Sequence, residues 1–378
     1  MKLKHNIITE HSIQIKADLP QRAVHKGMEV FYNPVMQSNR NIAILLLNSI
    51  PNQKMNIVDP LAGSGIRSLR FLKELKKGKI NHIFINDHKE SFVKVFKENV
   101  RLNKLKPKNI TLGNEDATLF LLNQINLKHK PNNFCGYFDY IDIDPFGSPN
   151  SYLNAALARI TRGGILAVTA TDTAALTGTY PKVTRRKYDA TPLRNYLMHE
   201  IGLRILIRKV QLLGVQFDKA LIPILCYSKD HYYRLYFRNE KGKQKCDEII
   251  KQHRYFLFCT ACLNFKISYF NNELCTCKKT FQFSGPLWTR QLHDHKLITA
   301  MAKNNPFPEE QKFLDLLREE STLDLVGFYD LHVFARKFRK EASKLEPLLT
   351  KVKGVRTHFS PTGIKSKVLL PEIVKIIK

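Results

Sequence analysis

Six residues near the middle of the chain, Asp142-Ile143-Asp144-Pro145-Phe146-Gly147, place a carboxylate, a proline and an aromatic ring in one turn. That set suits a planar base whose exocyclic amine is conjugated with its ring and is therefore a poor nucleophile. The Asp144 carboxylate, helped by the Pro145 carbonyl, can accept hydrogen bonds from such an amine and direct its lone pair. Phe146 can stack on the base and hold it in line. Asp, Pro and Gly also build ordinary strand-ending turns, so the reading depends on what accompanies them.

A second turn accompanies them. Asp59-Pro-Leu-Ala-Gly63-Ser-Gly65 stands where a short apolar run passes into a helical pattern. A P-loop would need Gly-Lys-Ser/Thr after four residues, and it is missing. A dinucleotide fingerprint would have a third glycine where Ser68 stands. A nucleoside ligand without a pyrophosphate remains, S-adenosylmethionine being the commonest, and the anionic Asp59 would repel a phosphate. Asp87 lies where an acid grips ribose hydroxyls in such sheets. Asp116-Ala117 follows the third apolar run, the usual place for contacts to an adenine edge.

Four of the seven cysteines form two short knuckles, Cys259-Thr-Ala-Cys262 and Cys275-Thr-Cys277. An odd total argues against a disulfide framework, and four thiolates suit a closed tetrahedral zinc site. The second knuckle is one residue shorter than the usual Cys-x-x-Cys, leaving His253 and Cys246 as possible substitutes.

Positioning these groups requires an open α/β sheet. Apolar runs at 56–59, 83–86, 110–112, 137–143 and 164–170 alternate with helical patterns such as 66–75 and 89–102. After an amphipathic stretch at 193–213, runs at 220–227 and 232–237 are spaced for an antiparallel hairpin. This outlines a class I methyltransferase fold, Rossmann-like, with a mostly parallel sheet and a terminal antiparallel hairpin. A basic stretch at 239–245 predicts a boundary between a catalytic domain, 1–240, and a smaller α+β domain, 241–378. The latter reads as mostly helical, with helices expected over 309–320 and 331–349.

The 378 residues carry 61 Lys plus Arg against 33 Asp plus Glu, a formal charge of +28 at a pI near 9.8. A polyanionic partner is implied, nucleic acid ahead of a membrane surface. Residues 241–378 hold 25 basic and 14 acidic side chains, so the excess is spread over both parts rather than confined to a tail. No apolar run approaches the roughly 20 residues of a membrane helix. No signal segment begins the sequence, so a cytoplasmic protein is expected. Nothing points to a membrane or to a protein partner.

Seven segments, taken in order, resemble the tRNA (guanine-26-N2)-dimethyltransferase family in its compact archaeal form. They are Phe31-Tyr-Asn-Pro-Val-Met-Gln-Ser-Asn-Arg40, Asp59-Pro-Leu-Ala-Gly-Ser-Gly-Ile-Arg67, Ile143-Asp-Pro-Phe-Gly-Ser-Pro149, Ala175-Leu-Thr-Gly-Thr-Tyr180, Tyr188, His199-Glu-Ile-Gly-Leu-Arg204 and Arg356-Thr-His-Phe-Ser-Pro-Thr-Gly363. The resemblance implies transfer of two methyl groups from S-adenosylmethionine to N2 of a guanine flipped out of tRNA. It implies that Arg40, Arg67, Asp87, Asp116 and Ala117 bind the cofactor, that Asp144 is the catalytic acceptor, and that Phe31 and Phe146 sandwich the guanine. Lys182, Arg185, Arg186 and Lys187, just after the fifth predicted strand, are expected to meet RNA phosphates. Two alternatives stay open: an exocyclic-amine methyltransferase acting on ribosomal RNA or DNA, and a non-catalytic zinc-ribbon RNA-binding protein.

Overall fold

The computed structural model describes residues 6–18, 30–126, 134–341 and 344–376. The chain forms two compact units, the first Met1–Thr169 with Lys303–Glu310 and the second Ala170–Ala302 with Gln311–Lys378. The compact units therefore part near residue 169, while the basic stretch 239–245 lies inside the second of them.

The first unit begins with an antiparallel pair, β1 (Asn6–Glu10) and β2 (Ile13–Ala17), followed by α1 (Gln37–Ser49). It continues through β3 (Met55–Asp59), α2 (Ile66–Glu74), β4 (Ile80–Asn86), α3 (Phe92–Leu102), β5 (Ile110–Gly113), α4 (Ala117–Asn123), β6 (Phe138–Ile143), α5 (Asn150–Arg159) and β7 (Ile160–Ala170). Strands β3 to β7 pair in parallel in the order β5-β4-β3-β6-β7. All five predicted strands are therefore present. The apolar runs are continuous rather than alternating because helices cover both faces, as the burial of consecutive Ile83, Phe84 and Ile85 shows. Strand order reverses between β3 and β6, and such a switch point leaves a crevice beyond the carboxyl ends of the two strands.

The second unit opens with α6 (Thr173–Leu176), α7 (Pro181–Tyr188) and α8 (Met198–Val215), then β8 (Lys219–Lys229) and β9 (Tyr232–Lys241). The last two form the expected hairpin, pairing from Lys219↔Lys241 to Lys229↔Tyr232. Next come α9 (Lys243–Lys251), β10 (His253–Phe258), β11 (Phe265–Ser268), β12 (Gln282–Trp288), α10 (His295–Lys303) and α11 (Gln311–Glu320). The unit ends with β13 (Tyr329–Asp330), α12 (Leu331–Phe338), α13 (Leu345–Lys351), β14 (Val355–Thr357), β15 (Ser360–Lys365) and α14 (Leu370–Ile376). Two three-stranded antiparallel sheets, β11-β10-β12 and β13-β15-β14, make the region after residue 241 more strand-rich than its sequence suggests. The helix expected over 331–349 is in fact two. Arg339 turns left-handed at φ 54° and ends α12, its N–H bonding Ala335 O, and Leu345 starts the next helix. Leu348 is the buried residue there, not Leu349, because the break resets the helical phase.

Candidate active site

The two chemistry-bearing turns come together because β3 and β6 are neighbours: one turn leaves the carboxyl end of each. In the first turn Gly63 and Gly65 have φ of +58° and +76°, a region side-chain-bearing residues rarely occupy. A Cβ on Gly63 would come within 3.3 Å of Phe31, and one on Gly65 within 2.3 Å of the Phe96 ring. The glycines thus admit two phenylalanines. Ser64 between them donates its N–H to Phe31 O at 3.0 Å, while its buried hydroxyl has no partner among the described residues.

Asp87 is tied to the same turn, its Oδ2 accepting from Gly63 N at 2.8 Å. Asp116 caps α4, its Oδ1 accepting from the N–H groups of Thr118 and Leu119. Ala117, the first residue of that helix, is buried. Burial, then the carboxylates of Asp116 and Asp87, raise the Tyr152 pKa, so both acids act on one region. Asn86, which stands in none of the motifs, staples these loops. Its Nδ2 donates to Pro60 O and Glu115 O, its Oδ1 accepts from Glu115 N, and its carbonyl accepts from Ala62 N. An unpartnered hydroxyl, a ribose-type acid and a helix-capping acid around one strand-end crevice fit a nucleoside-containing cofactor.

Arg67 joins the two turns. Projecting from the first turn of α2, it pairs through Nη2 with Asp144 Oδ2 and through Nη1 with Asp142 Oδ2 at 3.3 Å. Nη1 also donates to Asn39 Oδ1 at 3.0 Å. Asp142 is buried and accepts from Tyr140 OH at 2.6 Å. Asp59 is buried behind this group and accepts from Ser68 Oγ at 2.8 Å. Burial pushes its pKa up to about 7, against the pull of Arg67 and with the push of Asp142. Two carboxylates therefore share one guanidinium, whose charge also acts on Asp59. Asn39, Tyr140 and Asp142 orient the guanidinium, and of these only Tyr140 stood in no motif.

Pro145 holds the turn after Asp144, and beyond it Phe146 is 49% exposed. Its ring meets that of Phe31 edge-on, centroids 4.5 Å apart at 72°. The two aromatics expected to flank a base are thus neighbours, in contact with each other. Arg40 is placed differently from Arg67. It is buried and paired with Glu10, donates to Asn33 O at 3.1 Å and lies over the Tyr32 ring. Glu10 also binds Arg70 at 2.8 Å, and the two guanidiniums hold its carboxyl below the ordinary range although burial opposes them.

In the second unit, α7 exposes Lys182, Arg185, Arg186 and Lys187 while burying Thr184 and Tyr188. Lys187 pairs with Asp172 at 2.8 Å. The sulfurs of Cys259, Cys262, Cys275 and Cys277 lie within 4.8 Å of one another, with two pairs at 3.5 Å. Zinc–sulfur bonds of about 2.3 Å in a tetrahedron would separate sulfurs by roughly 3.8 Å, so the four thiols fit zinc. The short knuckle closes like the longer one, each last cysteine being followed by a left-handed residue, Leu263 or Lys278. These residues donate to Cys259 O and Cys275 O, each at 2.8 Å. Neither substitute is needed: His253 bonds Gln211 at 2.9 Å and Cys246 is buried on α9.

Comparison with known proteins agrees with this geometry over nearly the whole chain. A family model described as N2,N2-dimethylguanosine tRNA methyltransferase matches residues 6–378. The tRNA (guanine(26)-N(2)/guanine(27)-N(2))-dimethyltransferase of Aquifex aeolicus is 37% identical over 369 residues, covering 94% of this chain and 91% of that protein. The tRNA (guanine(26)-N(2))-dimethyltransferase of Methanobrevibacter smithii is 36% identical, covering 92% and 91%. Among solved structures, Trm1 from Pyrococcus horikoshii in complex with S-adenosyl-L-methionine superposes with a TM-score of 0.83 at 32% identity, covering 99% of this chain and all of that one.

Proposed function

Because the chain belongs to the N2,N2-dimethylguanosine tRNA methyltransferase family, we propose that it methylates N2 of guanine 26 in tRNA, first once and then a second time. The observation that carries this reading is the meeting of the nucleoside-type turn and the Asp-Pro-Phe turn at the β3–β6 switch point, bridged by Arg67. S-adenosylmethionine, when bound, supplies an electrophilic methyl on a sulfonium, an intrinsically good leaving group. The residues around it then have mainly to position the acceptor.

In this reading Asp59, Gly63, Gly65, Arg67, Asp87, Asp116 and Ala117 form the cofactor cradle. Arg40 belongs to it through the segment it anchors, holding Asn33 and the neighbouring Phe31 in place. Asp144 accepts hydrogen bonds from the exocyclic amine, so that an N–H of the base takes over the donor role that Arg67 fills in this structure. As the N–C bond forms, the amine proton passes to Asp144 or through it to water. Pro145 fixes the turn, and Phe31 and Phe146 part to receive the flipped base between their faces. Flipping costs a few kcal/mol, which two stacking contacts can offset. Residues 1–240 carry this chemistry and residues 241–378 hold the rest of the tRNA, with zinc closing the cysteine knuckles. Lys182, Arg185, Arg186 and Lys187 on α7 meet phosphates, and the enzyme works in the cytoplasm on its tRNA substrate.

The test is the nucleoside profile of unmodified tRNA after incubation with the protein and labelled cofactor. Mono- and then dimethylguanosine are expected; methyladenosine, or no product, would overturn the reading. Asp144→Ala should form neither product while binding the cofactor almost as tightly as wild type. Near-normal methylation by that variant would remove Asp144 from the acceptor role.

A further inference from the structure

The sheet β11-β10-β12 and its cysteine knuckles carry a feature that the methyl-transfer chemistry does not use. At the turn after β11, Tyr269 and Phe270 are 61% and 68% exposed, and Leu274 beside the second knuckle is 65% exposed. Large apolar side chains usually avoid such exposure, and three within six residues form a patch rather than a scatter.

The patch is stiff. Strand β11 is paired with β10 up to Tyr255↔Ser268, immediately before the two aromatics. Ser268 Oγ accepts the Phe270 N–H at 3.0 Å and is itself held by Glu273. Beyond Leu274, an isolated bridge to Thr280 and the Cys275 N–H to Lys279 O bond lead into the knuckle. The aromatics are thus presented by a strand on one side and a closed knuckle on the other.

The patch is also cationic. Between His253 and Trp288 stand Arg254, Lys266, Lys278 and Lys279 against one acid, Glu273, which Lys266 already pairs. Arg254 lies over the Tyr269 ring at 4.2 Å from its centroid. A guanidinium against a largely open aromatic ring, with Lys278 and Lys279 exposed nearby, is the combination single-stranded nucleic acid selects. The ring offers a face to any base, and the cations track the phosphates. An apolar partner protein would leave these charges unpaired, and an ordinary dimer contact would not need them.

We propose that Tyr269 and Phe270 form a stacking platform for an unpaired nucleotide of the tRNA substrate, one outside the paired stems and distinct from the methylated base. This rests on the proposed function only in taking tRNA as the partner. The platform recognises an accessible base face and not a sequence, so it would report tRNA shape to the enzyme.

The experiment compares the full-length protein with Tyr269→Ala/Phe270→Ala. It measures the equilibrium Kd for unmodified tRNA over a salt series and the Kd for S-adenosylmethionine. Loss of one base–aromatic stack should weaken tRNA binding by about 5- to 150-fold. The slope of log Kd against log salt should stay the same, since no phosphate contact is removed. Cofactor affinity should also be unchanged, which excludes general misfolding. Tyr269→Trp/Phe270→Tyr keeps the ring faces and should retain wild-type tRNA affinity. Tyr269→Leu/Phe270→Leu keeps apolar area and should behave like the alanine pair. TRNA affinity within twofold of wild type in the alanine pair would overturn the proposal. So would equal affinity of the leucine and tryptophan–tyrosine pairs, or an effect seen only as a change in self-association. If the wild type binds tRNA without methylating it, the proposed function fails while the Kd comparison still decides the platform.

Discussion

Asp59 shows how far a residue's role depends on its partners. Its folded pKa of about 7 stands above the ordinary aspartate value of 3.8, chiefly because the carboxyl is buried, with Arg67 opposing and Asp142 and Asp144 adding to the rise. Between those two values the folded chain keeps a proton that the unfolded chain has lost. Stability therefore falls as pH rises from about 4 to about 7, by at most roughly 4 kcal/mol, and levels off above that. Asp59→Asn removes the titration, while its amide oxygen can still accept from Ser68. The variant should gain stability relative to wild type on going from pH 5 to pH 8, as read from urea midpoints at the two values. An equal difference at both would show that Asp59 does not hold a proton in the folded protein. The sequence displays Asp59 as an acid before a glycine turn and Ser68 as a missing glycine. That the two are hydrogen-bonded follows only from the start of α2 turning back over β3. Arg67 is similar: its motif is visible, but its sharing between Asp142 and Asp144 needs the β3–β6 adjacency, which links residues some 75 positions apart.

At the scale of elements, legibility follows burial. Strands β3, β4, β6 and β7 are buried over most of their length, so their continuous apolar runs can be read directly, and the β8–β9 hairpin is announced by the short link, 228–231, between its two apolar runs. Strands β10 and β11 are partly exposed or flank the knuckles, β13 and β14 are too short to carry a period, and β15 holds a proline and a glycine in place of an alternating apolar pattern. The false long helix over 331–349 arose because a left-handed arginine leaves no compositional mark. The cysteine knuckles lie between these extremes: their spacing is visible, while the fit of the shorter one depends on the left-handed Lys278. Around them Leu257, Cys259, Cys275 and Phe281 make a core too small to order the ribbon alone. Protein purified without added zinc should contain about one zinc per chain, and Cys277→Ser clearly less, by elemental analysis. Removing the metal from wild type with a chelator should expose the knuckle thiols to a thiol reagent. Metal-free protein whose thiols stay protected would show that the four cysteines close without an ion.

Over the whole molecule, the boundary expected from sequence at residue 240 and the division into compact units fall at different places. The +28 charge is spread on both sides of residue 240, the boundary that the basic stretch 239–245 predicts. The buried polar contacts run across that line, inside the second compact unit. Glu200 on α8 accepts from Arg204 at 2.9 Å, Lys365 at 3.0 Å and the Gly327 N–H at 3.1 Å. Arg204 donates to the carbonyls of Trp288, Arg290 and Leu325. Lys365 also reaches Glu320, which takes Thr357 Oγ1 and both the N–H and the ring of His358 from the late Arg356–Gly363 segment. Two of the segments that carry the family resemblance thus serve as one buried charge network in this unit. A fragment ending at residue 240 keeps Glu200 and Arg204 but loses every one of these partners beyond their own pairing. Stranding a buried ion costs about 3–5 kcal/mol, and a domain's entire stability is about 5–15 kcal/mol. The fragment 1–240 should therefore be recovered insoluble, or be degraded within minutes in a limited-proteolysis experiment that leaves the full chain intact. A soluble, protease-resistant fragment binding S-adenosylmethionine with the full chain's affinity would mean that the catalytic part folds without the network that α8 shares with the rest of its unit.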